Sequence, residues 1–157
     1  MSDFVVRRAQ TDDALSMAQL YADVAEEGVT ATEPPVDVQA YAELFAPNTD
    51  DSVVAFADDQ LIGGTHTEVS KHGFGKVGVV VHRDWRGRGV GAALLEETIS
   101  QARERGLSKL CSECFAGSAE PIALYHKVGF VDEGLRVKQY RRAGGELKDS
   151  VMMGLVL

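Results

Sequence analysis

The chain has 157 residues, of which 45% are hydrophobic and 25% are charged. These fractions are typical of a globular domain and argue against disorder, a coiled coil or a collagen-like repeat. The net charge of −8 makes nucleic acids and anionic membranes unfavourable partners. No apolar run is long enough to cross a bilayer, and the N-terminus lacks the pattern of a secretion signal. We expect one cytoplasmic domain over residues 1–157 that binds neither nucleic acid nor membrane.

Hydrophobic periodicity and turn residues divide the chain into about seven strands and about four helices. The predicted strands are Phe4–Arg8, Ser52–Ala57, Gln60–Val69, Lys76–His82, Leu107–Phe115, Gly129–Arg141 and Glu146–Leu157. The predicted helices are one from Thr11 to Gly28, one around Val38–Phe45, one over Gly89–Arg105 and one over Ala119–Lys127. This order predicts an α+β fold with a mostly antiparallel sheet and one parallel strand pair. The Val-rich strand Lys76–His82 is expected at its centre.

A strand, a loop and a helix start follow one another between Val77 and Ala92. The loop and helix start carry three arginines and three glycines, namely Arg83, Arg86, Arg88, Gly87, Gly89 and Gly91. At the start of a helix the backbone N–H groups point outward at the positive end of the helix dipole, and glycines let an anion approach closely. The pattern predicts a site for a pyrophosphate group.

Two known nucleotide-binding motifs do not fully match this loop. A P-loop requires Gly-Lys-Ser/Thr, which does not follow here. Gly87-x-Gly89-x-x-Ala92 matches the dinucleotide fingerprint, with Glu113 downstream. However, Arg83–Arg86 separates the strand from the first glycine, where that fold needs an immediate turn. A dehydrogenase therefore stays an alternative that NAD(H) binding would test.

Two segments resemble the Gcn5-related N-acetyltransferase (GNAT) superfamily. Arg86-x-x-Gly89-x-Gly91 after the Val-rich strand is similar to motif A, which holds the pyrophosphate of coenzyme A in that family. The run from Pro121 to Phe130 (Pro-Ile-Ala-Leu-Tyr-His-Lys-Val-Gly-Phe) resembles the A-I-x-L-Y-x-K-x-G-F segment of the same family. The resemblance covers nearly the whole chain, and it extends to the branches that acetylate amino acids or protein N-terminal amines. It implies the GNAT fold, in which the parallel strand pair splays apart.

This resemblance implies acetyl-CoA as cosubstrate, without a metal. In the family the pantetheine arm lies in the gap beside the splayed strand, and the pyrophosphate lies on the following loop. The matching cofactor-binding positions are Val79, Val80, Val81, Arg86, Gly87, Arg88, Gly89, Val90, Gly91, Ala92, Ser118 and Lys127. Ser118 stands where the family usually has Asn, and Lys127 matches a position that is often basic.

The resemblance also implies two catalytic side chains. Tyr125 matches the tyrosine that protonates the departing thiolate, a role that a phenol can fill. Glu113 lies five residues before Ser118, at the spacing of the catalytic glutamate in ribosomal-protein-alanine N-acetyltransferases, so it is the predicted base. The reserve candidates are Glu68, His66 and His72.

Two departures bear on the chemistry. Lys76 stands where the family often has a glutamate in the strand before motif A, so the proton is expected to go to Glu113 or to water. Cys111 and Cys114 form a lone C-x-x-C on a predicted strand, where their odd separation places the two sulfurs on opposite faces. No metal site is therefore predicted.

The predicted function is transfer of an acetyl group to a primary amine by direct attack in a ternary complex. The acceptor is an amino acid-like molecule or a peptide N-terminus, and the predicted substrate-binding residues are Glu33 and Glu68. The expected variable parts of the pocket are Glu26–Val36 and the hairpin Gln139–Leu147. The first offers Glu26, Glu27 and Glu33 and the second offers Arg141 and Arg142, a combination that would suit a molecule with both an amine and a carboxylate. The alternative is a non-catalytic module that binds or senses acyl-CoA. A homodimer is also possible, because dimers are common in the family.

Overall fold

A computed structural model describes residues 3–157, and it has strands and helices in the predicted order. Met1 and Ser2, which begin the predicted domain, lie outside the described residues. The strands are β1 (Val5–Arg8), β2 (Ser52–Ala57), β3 (Gln60–Val69), β4 (Phe74–Val81), β5 (Lys109–Phe115), β6 (Val131–Arg141) and β7 (Leu147–Val156). The helices are α1 (Ala14–Ala25), α2 (Val38–Phe45), α3 (Val90–Glu104) and α4 (Ala119–Lys127). Short 3₁₀ helices lie at Thr11–Asp13, Ala46–Asp51 and Arg83–Trp85.

The strands form one sheet in the order β1-β2-β3-β4-β5-β7-β6. Strands β4 and β5 are parallel, and the other neighbouring pairs are antiparallel. The right-handed crossover expected for a parallel pair is made by α3, which connects these two strands. The fold class is therefore confirmed, with β4 at the centre of the sheet as predicted.

Helix α1 covers one face of the sheet. Met17 and Val24 lie on one side of this helix and pack against Val54 and Leu61 of the sheet. Gly64 permits this close approach, because a Cβ atom there would lie 2.3 Å from the Met17 sulfur. Helix α2 packs on α1, so the two helices rise together above this face of the sheet.

Helices α3 and α4 cover the opposite face. Leu95 and Ile99 of α3 share a buried cluster with Tyr125 of α4 and with Val77 of β4. Side chains alternate along a strand, so odd-numbered residues of β4 face α3 and even-numbered residues face α1. In the first half of β4, exposed and buried side chains alternate more than the sequence indicates, because Lys76 is exposed on the α1 face between buried neighbours.

The strand boundaries agree with the prediction within two residues, and the shifts at the starts of β4 and β5 have a local reason. β4 begins at Phe74, two residues early, because the turn before it closes with a hydrogen bond from Ser70 N–H to the Phe74 carbonyl (2.8 Å). β5 begins at Lys109, two residues late, because Leu107 N–H bonds to the Ala102 carbonyl (3.0 Å) and so completes the end of α3. Among residues 3–157, none of the helices has the length and apolar character needed to cross a membrane.

Both cysteines lie on β5 as free thiols. Cys114 is buried in the cluster between the sheet and α3, whereas Cys111 is half-buried. Burial raises the pKa of Cys114 to about 11, so this thiol is protonated at neutral pH. The three-residue separation on a strand directs the two side chains to opposite faces.

Candidate active site

A gap opens between the two parallel strands. Strands β4 and β5 pair only from Phe74 to Lys76 on one side and from Lys109 to Cys111 on the other. Beyond these residues the strands diverge, so the remainder of β4 has β3 as a neighbour on one edge and the gap on the other. This is the splayed pair that the sequence predicts.

The register of β3 and β4 decides which backbone groups face the gap. His82 N–H donates to the Ile62 carbonyl (2.8 Å), and bonded residues alternate along an antiparallel pair. Val80 therefore bonds with β3, while Val79 and Val81 direct their backbone groups into the gap. Val81 offers its carbonyl to the Arg86 side chain (3.1 Å). Of the three predicted valines, Val79 thus presents both backbone groups to the gap, whereas Val80 contributes its side chain to a neighbouring cavity.

The predicted anion-binding loop lies at the end of this gap. Gly87 and Gly89 have φ angles of 73° and 85°, a conformation that glycine adopts without strain. Gly89 caps α3, whose first intrahelical bond runs from Ala93 N–H to the Gly89 carbonyl (3.0 Å). The preceding N–H groups, on Val90, Gly91 and Ala92, therefore point out of the helix start. They form a surface for an anion, with the positive end of the helix dipole behind it.

Gly91 has a second role in packing. A Cβ atom at this position would lie 2.7 Å from Leu124 Cδ2 of α4. The missing side chain lets α4 approach the first turn of α3. Motif A and the segment that carries Tyr125 are therefore in direct contact.

Arg86 is committed to a partner inside the protein. Its two terminal nitrogens donate to the Glu27 carboxylate at 2.6 and 2.7 Å, and its Nε donates to the Val81 carbonyl. The hydrogen bonds from Arg86 lower the pKa of Glu27, which therefore stays charged. Arg88 stacks its guanidinium over the Trp85 ring, 4.5 Å from the centroid. Arg86 thus ties the loop to the end of α1, while Arg88 lies exposed on the loop surface.

This bidentate pair predicts matched losses from its two partners. If Arg86 acts by fixing the loop, Glu27→Gln and Arg86→Gln should each weaken acetyl-CoA binding by about fivefold, the equivalent of about 1 kcal/mol. Titration calorimetry at two salt concentrations measures the acetyl-CoA affinity of both variants. A large loss for Arg86→Gln beside an unchanged Glu27→Gln would show that Arg86 binds the phosphates directly.

Tyr125 reaches the gap from α4. Its side chain is buried, packs against Phe130 and has its hydroxyl 3.5 Å from the Val77 carbonyl. Val77 has the same strand orientation as Val79, so its carbonyl faces the gap. Burial raises the pKa of Tyr125, and the Ser112 side chain opposes this only in part. The phenol is therefore protonated at neutral pH and available as a donor.

The last two predicted cofactor residues lie at opposite ends of α4. Ser118 is half-buried at the helix start and lines the same cavity as Tyr125. Lys127 is exposed in the last turn. Tyr125 and Ser118 both line the cavity at the gap. Lys127 is separated from Ser118 by the length of the helix, and although it lies two residues after Tyr125 it is exposed to solvent.

A cavity of about 870 Å³ lies between the sheet and the α1–α2 pair. It is continuous with the gap, because Val79 and Tyr125 belong to its wall. Its wall on the helix side is largely aromatic and aliphatic, formed by Met17, Tyr21, Val24, Tyr41, Leu44 and Phe45. Its sheet side carries the polar groups, which are His66, Glu68, Lys76, Glu113, Ser118, Tyr140 and Ser150.

Glu113 is held as a charged group in this cavity. Its carboxylate accepts hydrogen bonds from Ser150 Oγ (2.7 Å) and from Tyr140 Oη (2.9 and 3.0 Å). Lys76 Nζ and Arg136 Nε lie 3.8 and 3.9 Å away. Burial alone would raise the pKa of Glu113, but these hydrogen bonds and cations outweigh it and lower the pKa. A carboxylate stabilised in this way is a weak proton acceptor.

Glu68 and His66 face the same cavity from β3. Glu68 stands opposite Lys76 in the strand register, and His66 stands opposite Gly78. His66 Nδ1 lies 2.9 Å from Ser52 Oγ, and its ring packs edge-on against Phe45. His72, the other reserve histidine, is exposed on the turn between β3 and β4.

Glu33 lies in an ion pair away from the cavity wall. Its carboxylate accepts from Arg142 Nε (2.9 Å) and from Ala143 N–H (3.1 Å). Arg142 also donates to the Ala31 carbonyl (3.1 Å) and stacks over Phe115. Glu33 and Arg142, two of the charges that the sequence analysis offers to a zwitterionic substrate, therefore neutralise each other, and they fasten the loop after α1 to the β6–β7 hairpin.

Tyr140 and Ser150, the two residues that hold Glu113, were not predicted from the sequence. Tyr140 and Ser150 lie 27 and 37 positions after it, on β6 and β7. The pairing of β5 with β7 sets Ser150 opposite Phe115, two positions beyond Glu113, and a register shift between Arg136 and Tyr140 displaces Tyr140. The turn around residues 143–145 predicts that β6 and β7 pair as a hairpin. The register shift within that hairpin cannot be predicted from the sequence.

A sequence model described as the acetyltransferase (GNAT) family matches residues 15–130. The match includes the splayed β4, the loop before α3 and the segment with Tyr125. This chain therefore belongs to the acetyltransferase (GNAT) family.

Its relatives include enzymes named for different amines. The chain is 27% identical over 162 residues to the L-amino acid N-acetyltransferase AaaT of Escherichia coli, covering 99% of each protein. It is 33% identical over 99 residues to the ribosomal protein bS18-alanine N-acetyltransferase of Salmonella typhimurium, covering 63% of this chain and 66% of that protein. The match to the Escherichia coli counterpart spans 51% of that enzyme's length.

One solved structure shares nearly the whole fold. It is a GNAT superfamily phosphinothricin acetyltransferase from Sinorhizobium meliloti in complex with acetyl-CoA. The TM-score is 0.88 at 23% identity, over 99% of this chain and 89% of that one. At this identity the similarity establishes the fold.

Proposed function

We propose that this chain transfers an acetyl group from acetyl-CoA to a primary amine while both substrates are bound. The observation that carries the proposal is the gap between β4 and β5, with the Tyr125 hydroxyl inside it and the start of α3 at its end. Family membership and the names of the relatives support the same reaction.

Acetyl-CoA would bind along the open edge of β4. The pantetheine arm is an extended chain with amide groups, and the Val79 N–H and C=O are oriented to pair with it. The pyrophosphate would lie on the loop from Gly87 to Ala92, where outward N–H groups and the helix dipole stabilise negative charge. Ser118 would contact the arm from α4. The Sinorhizobium meliloti enzyme, which has the same fold, is in complex with acetyl-CoA, and this supports acetyl-CoA as the cosubstrate.

The reaction would then proceed by direct attack. The amine nitrogen bonds to the thioester carbonyl carbon, and a backbone N–H on the β4 edge stabilises the oxyanion. As the C–S bond breaks, the sulfur takes a proton from the Tyr125 hydroxyl, which burial keeps protonated. Binding both substrates in one cavity removes most of the entropic cost of bringing them together.

The cavity favours an amine attached to an apolar group. Its helix side is aromatic and aliphatic, whereas Glu68 supplies a negative charge that attracts an ammonium group. Glu113 is predicted as the base, but its hydrogen bonds and the nearby Lys76 and Arg136 suit it better to holding the Tyr140 hydroxyl. Glu33 is paired with Arg142 and is not proposed as a substrate ligand. We propose an amino acid or the N-terminal residue of a peptide as the acceptor class.

A panel of acceptors tests this function. Release of free CoA from acetyl-CoA is measured with free L-amino acids, with peptides beginning with Ala or Ser, and with Nα-acetyl-lysine as an ε-amine control. Turnover with α-amines that exceeds turnover with the ε-amine is expected. Acetyl-CoA binding without turnover on any amine would contradict the enzyme and favour the non-catalytic acyl-CoA-binding module.

A further inference from the structure

His66 is a half-buried imidazole in the wall of the acceptor cavity. Its Nδ1 is held by Ser52 Oγ on β2, at 2.9 Å, and Ser52 stands directly opposite it in the strand register. Strand β2 lies on the side of β3 away from β4 and the gap. With Nδ1 anchored on that side, Nε2 on the other edge of the ring is the nitrogen available to the cavity.

Gly78, which has no side chain, lies between His66 and the gap. Gly78 stands opposite His66 in β4, and the parity set by His82 makes this a hydrogen-bonded pair, with Cα atoms about 5.5 Å apart. A Cβ atom built on Gly78 would meet nothing within 4 Å, so the space above it is open. Val79, the next residue, faces the gap. An amine that attacks a thioester beside Val79 would therefore lie close enough to the imidazole to pass it a proton, either directly or through one bridging water.

Burial lowers the pKa of His66, and the nearby Glu68 charge opposes this only in part. The imidazole is thus neutral at pH 7 and has a free lone pair. Other titratable groups in the cavity wall include charged side chains of both signs and three phenols. These are Glu68 on β3, Lys76 on β4, Glu113 on β5, Asp51 before β2, Tyr21 on α1, Tyr41 on α2 and Tyr140 on β6. Asp51 is paired with Arg105, and Glu113 is surrounded by donors and cations.

We propose that His66 is the general base of the reaction, with Nδ1–H donating to Ser52 Oγ and Nε2 accepting the proton of the attacking amine, directly or through one water. This inference rests on the proposed acetyl transfer. It assigns to His66 the role that the sequence assigns to Glu113.

His66 and Tyr125 together account for the proton transfers of the reaction. A neutral amine forms its bond to the thioester carbon and loses one N–H proton to His66 Nε2. The C–S bond breaks, and the thiolate takes the Tyr125 proton. The imidazolium then loses its proton to solvent and the phenolate regains one, so the products are the amide and free CoA thiol. An acceptor that arrives as ammonium first gives one proton to water.

The tautomer can be measured without knowing the acceptor. Nitrogen-15 spectra of the histidine rings, assigned by comparison with His66→Gln, are recorded for the complex with acetyl-CoA at pH 7. The proposal predicts a neutral ring protonated on Nδ1. A ring protonated on Nε2 would overturn it, since that nitrogen could not accept a proton.

Kinetics then separate the two candidate bases. His66→Gln should lower kcat by about 100-fold or more, the range for loss of a general base, while acetyl-CoA affinity stays unchanged. Wild-type kcat/KM should fall as the pH drops through the pKa of His66, below its ordinary value of 6.5, and His66→Gln should lose that limb. A limb that persists in His66→Gln, or an unchanged kcat, would overturn the proposal in favour of Glu113 or water.

Two further variants control for structure. Lys71→Gln changes an exposed residue on the adjacent turn and should leave kcat unchanged. Gly78→Val adds a side chain where there is open space and suits a strand, so the fold should be kept while kcat/KM falls. If the wild type binds acetyl-CoA and acetylates amines but His66→Gln does so equally well, the inference fails and the proposed function stands. If the wild type acetylates nothing, the proposed function fails whatever tautomer is found.

Discussion

Tyr125→Phe is expected to lower kcat by about 100- to 1,000-fold, the range for loss of a general acid. The phenylalanine keeps the buried ring and its contact with Phe130, and it removes only the hydroxyl at the gap. Since burial holds the pKa of Tyr125 above its ordinary value, the wild-type phenol carries its proton over the whole working pH range. The thiolate would then have to leave unprotonated or take a proton from water.

Two measurements show whether the hydroxyl acts in chemistry or in folding. Acetyl-CoA affinity by calorimetry and the midpoint of thermal unfolding should both change little, because the buried ring is kept and the hydroxyl's hydrogen bond to the Val77 carbonyl is long, at 3.5 Å. A kcat within about twofold of the wild type would exclude Tyr125 as the acid, since one lost proton donor costs at least tens-fold in rate.

Gly89→Glu is expected to reduce acetyl-CoA affinity by about 100-fold or more. Any side chain at φ 85° is strained by about 1 kcal/mol, and if the free loop relaxes to relieve that strain, restoring the loop on binding costs about fivefold in affinity. The larger part comes from the carboxylate, which would lie at the start of α3 and occupy the N–H groups that the pyrophosphate needs. A Cβ atom at Gly89 meets nothing within 4 Å, so the variant has room to fold.

Gly106→Glu is the matched control at the other end of α3. Gly106 also has a positive φ, 75°, and open space around its Cβ position. The same substitution therefore adds the same charge and a similar strain without touching the helix start. Equal losses of affinity in the two variants would mean that strain or net charge, and not the anion site, is responsible.

Local patterns predicted most of the fold. The helix and strand boundaries agree within a few residues, because turn residues such as Gly28 and Gly106 adopt the positive φ that ends a helix. The parallel pair followed from the strand–helix–strand order around α3. The loop glycines and Tyr125 were found because motif residues lie close together in the sequence, where spacing is informative.

The electrostatics of the site could not be predicted in the same way. Arg86 and Glu27 are 59 positions apart, and Glu33 and Arg142 belong to segments that meet only when the last hairpin folds over the loop after α1. Each charge was assigned to a ligand because its protein partner was not visible in the sequence. The hydrogen bonds that lower the pKa of Glu113 could not be foreseen either, since Tyr140 and Ser150 come from strands whose register the sequence does not specify.

The proposed site for acetyl-CoA consists of the gap between β4 and β5 and the loop before α3, and titration calorimetry of the wild-type protein tests it most directly. Acetyl-CoA is titrated beside NADH and ATP at the same salt concentration. We expect a dissociation constant of about micromolar order for acetyl-CoA, equivalent to about −8 kcal/mol, and none of comparable strength for the other two. Binding of NADH in preference would favour a dinucleotide site. Failure to bind acetyl-CoA would mean that the fold is present without a working site, and the proposed function would be withdrawn.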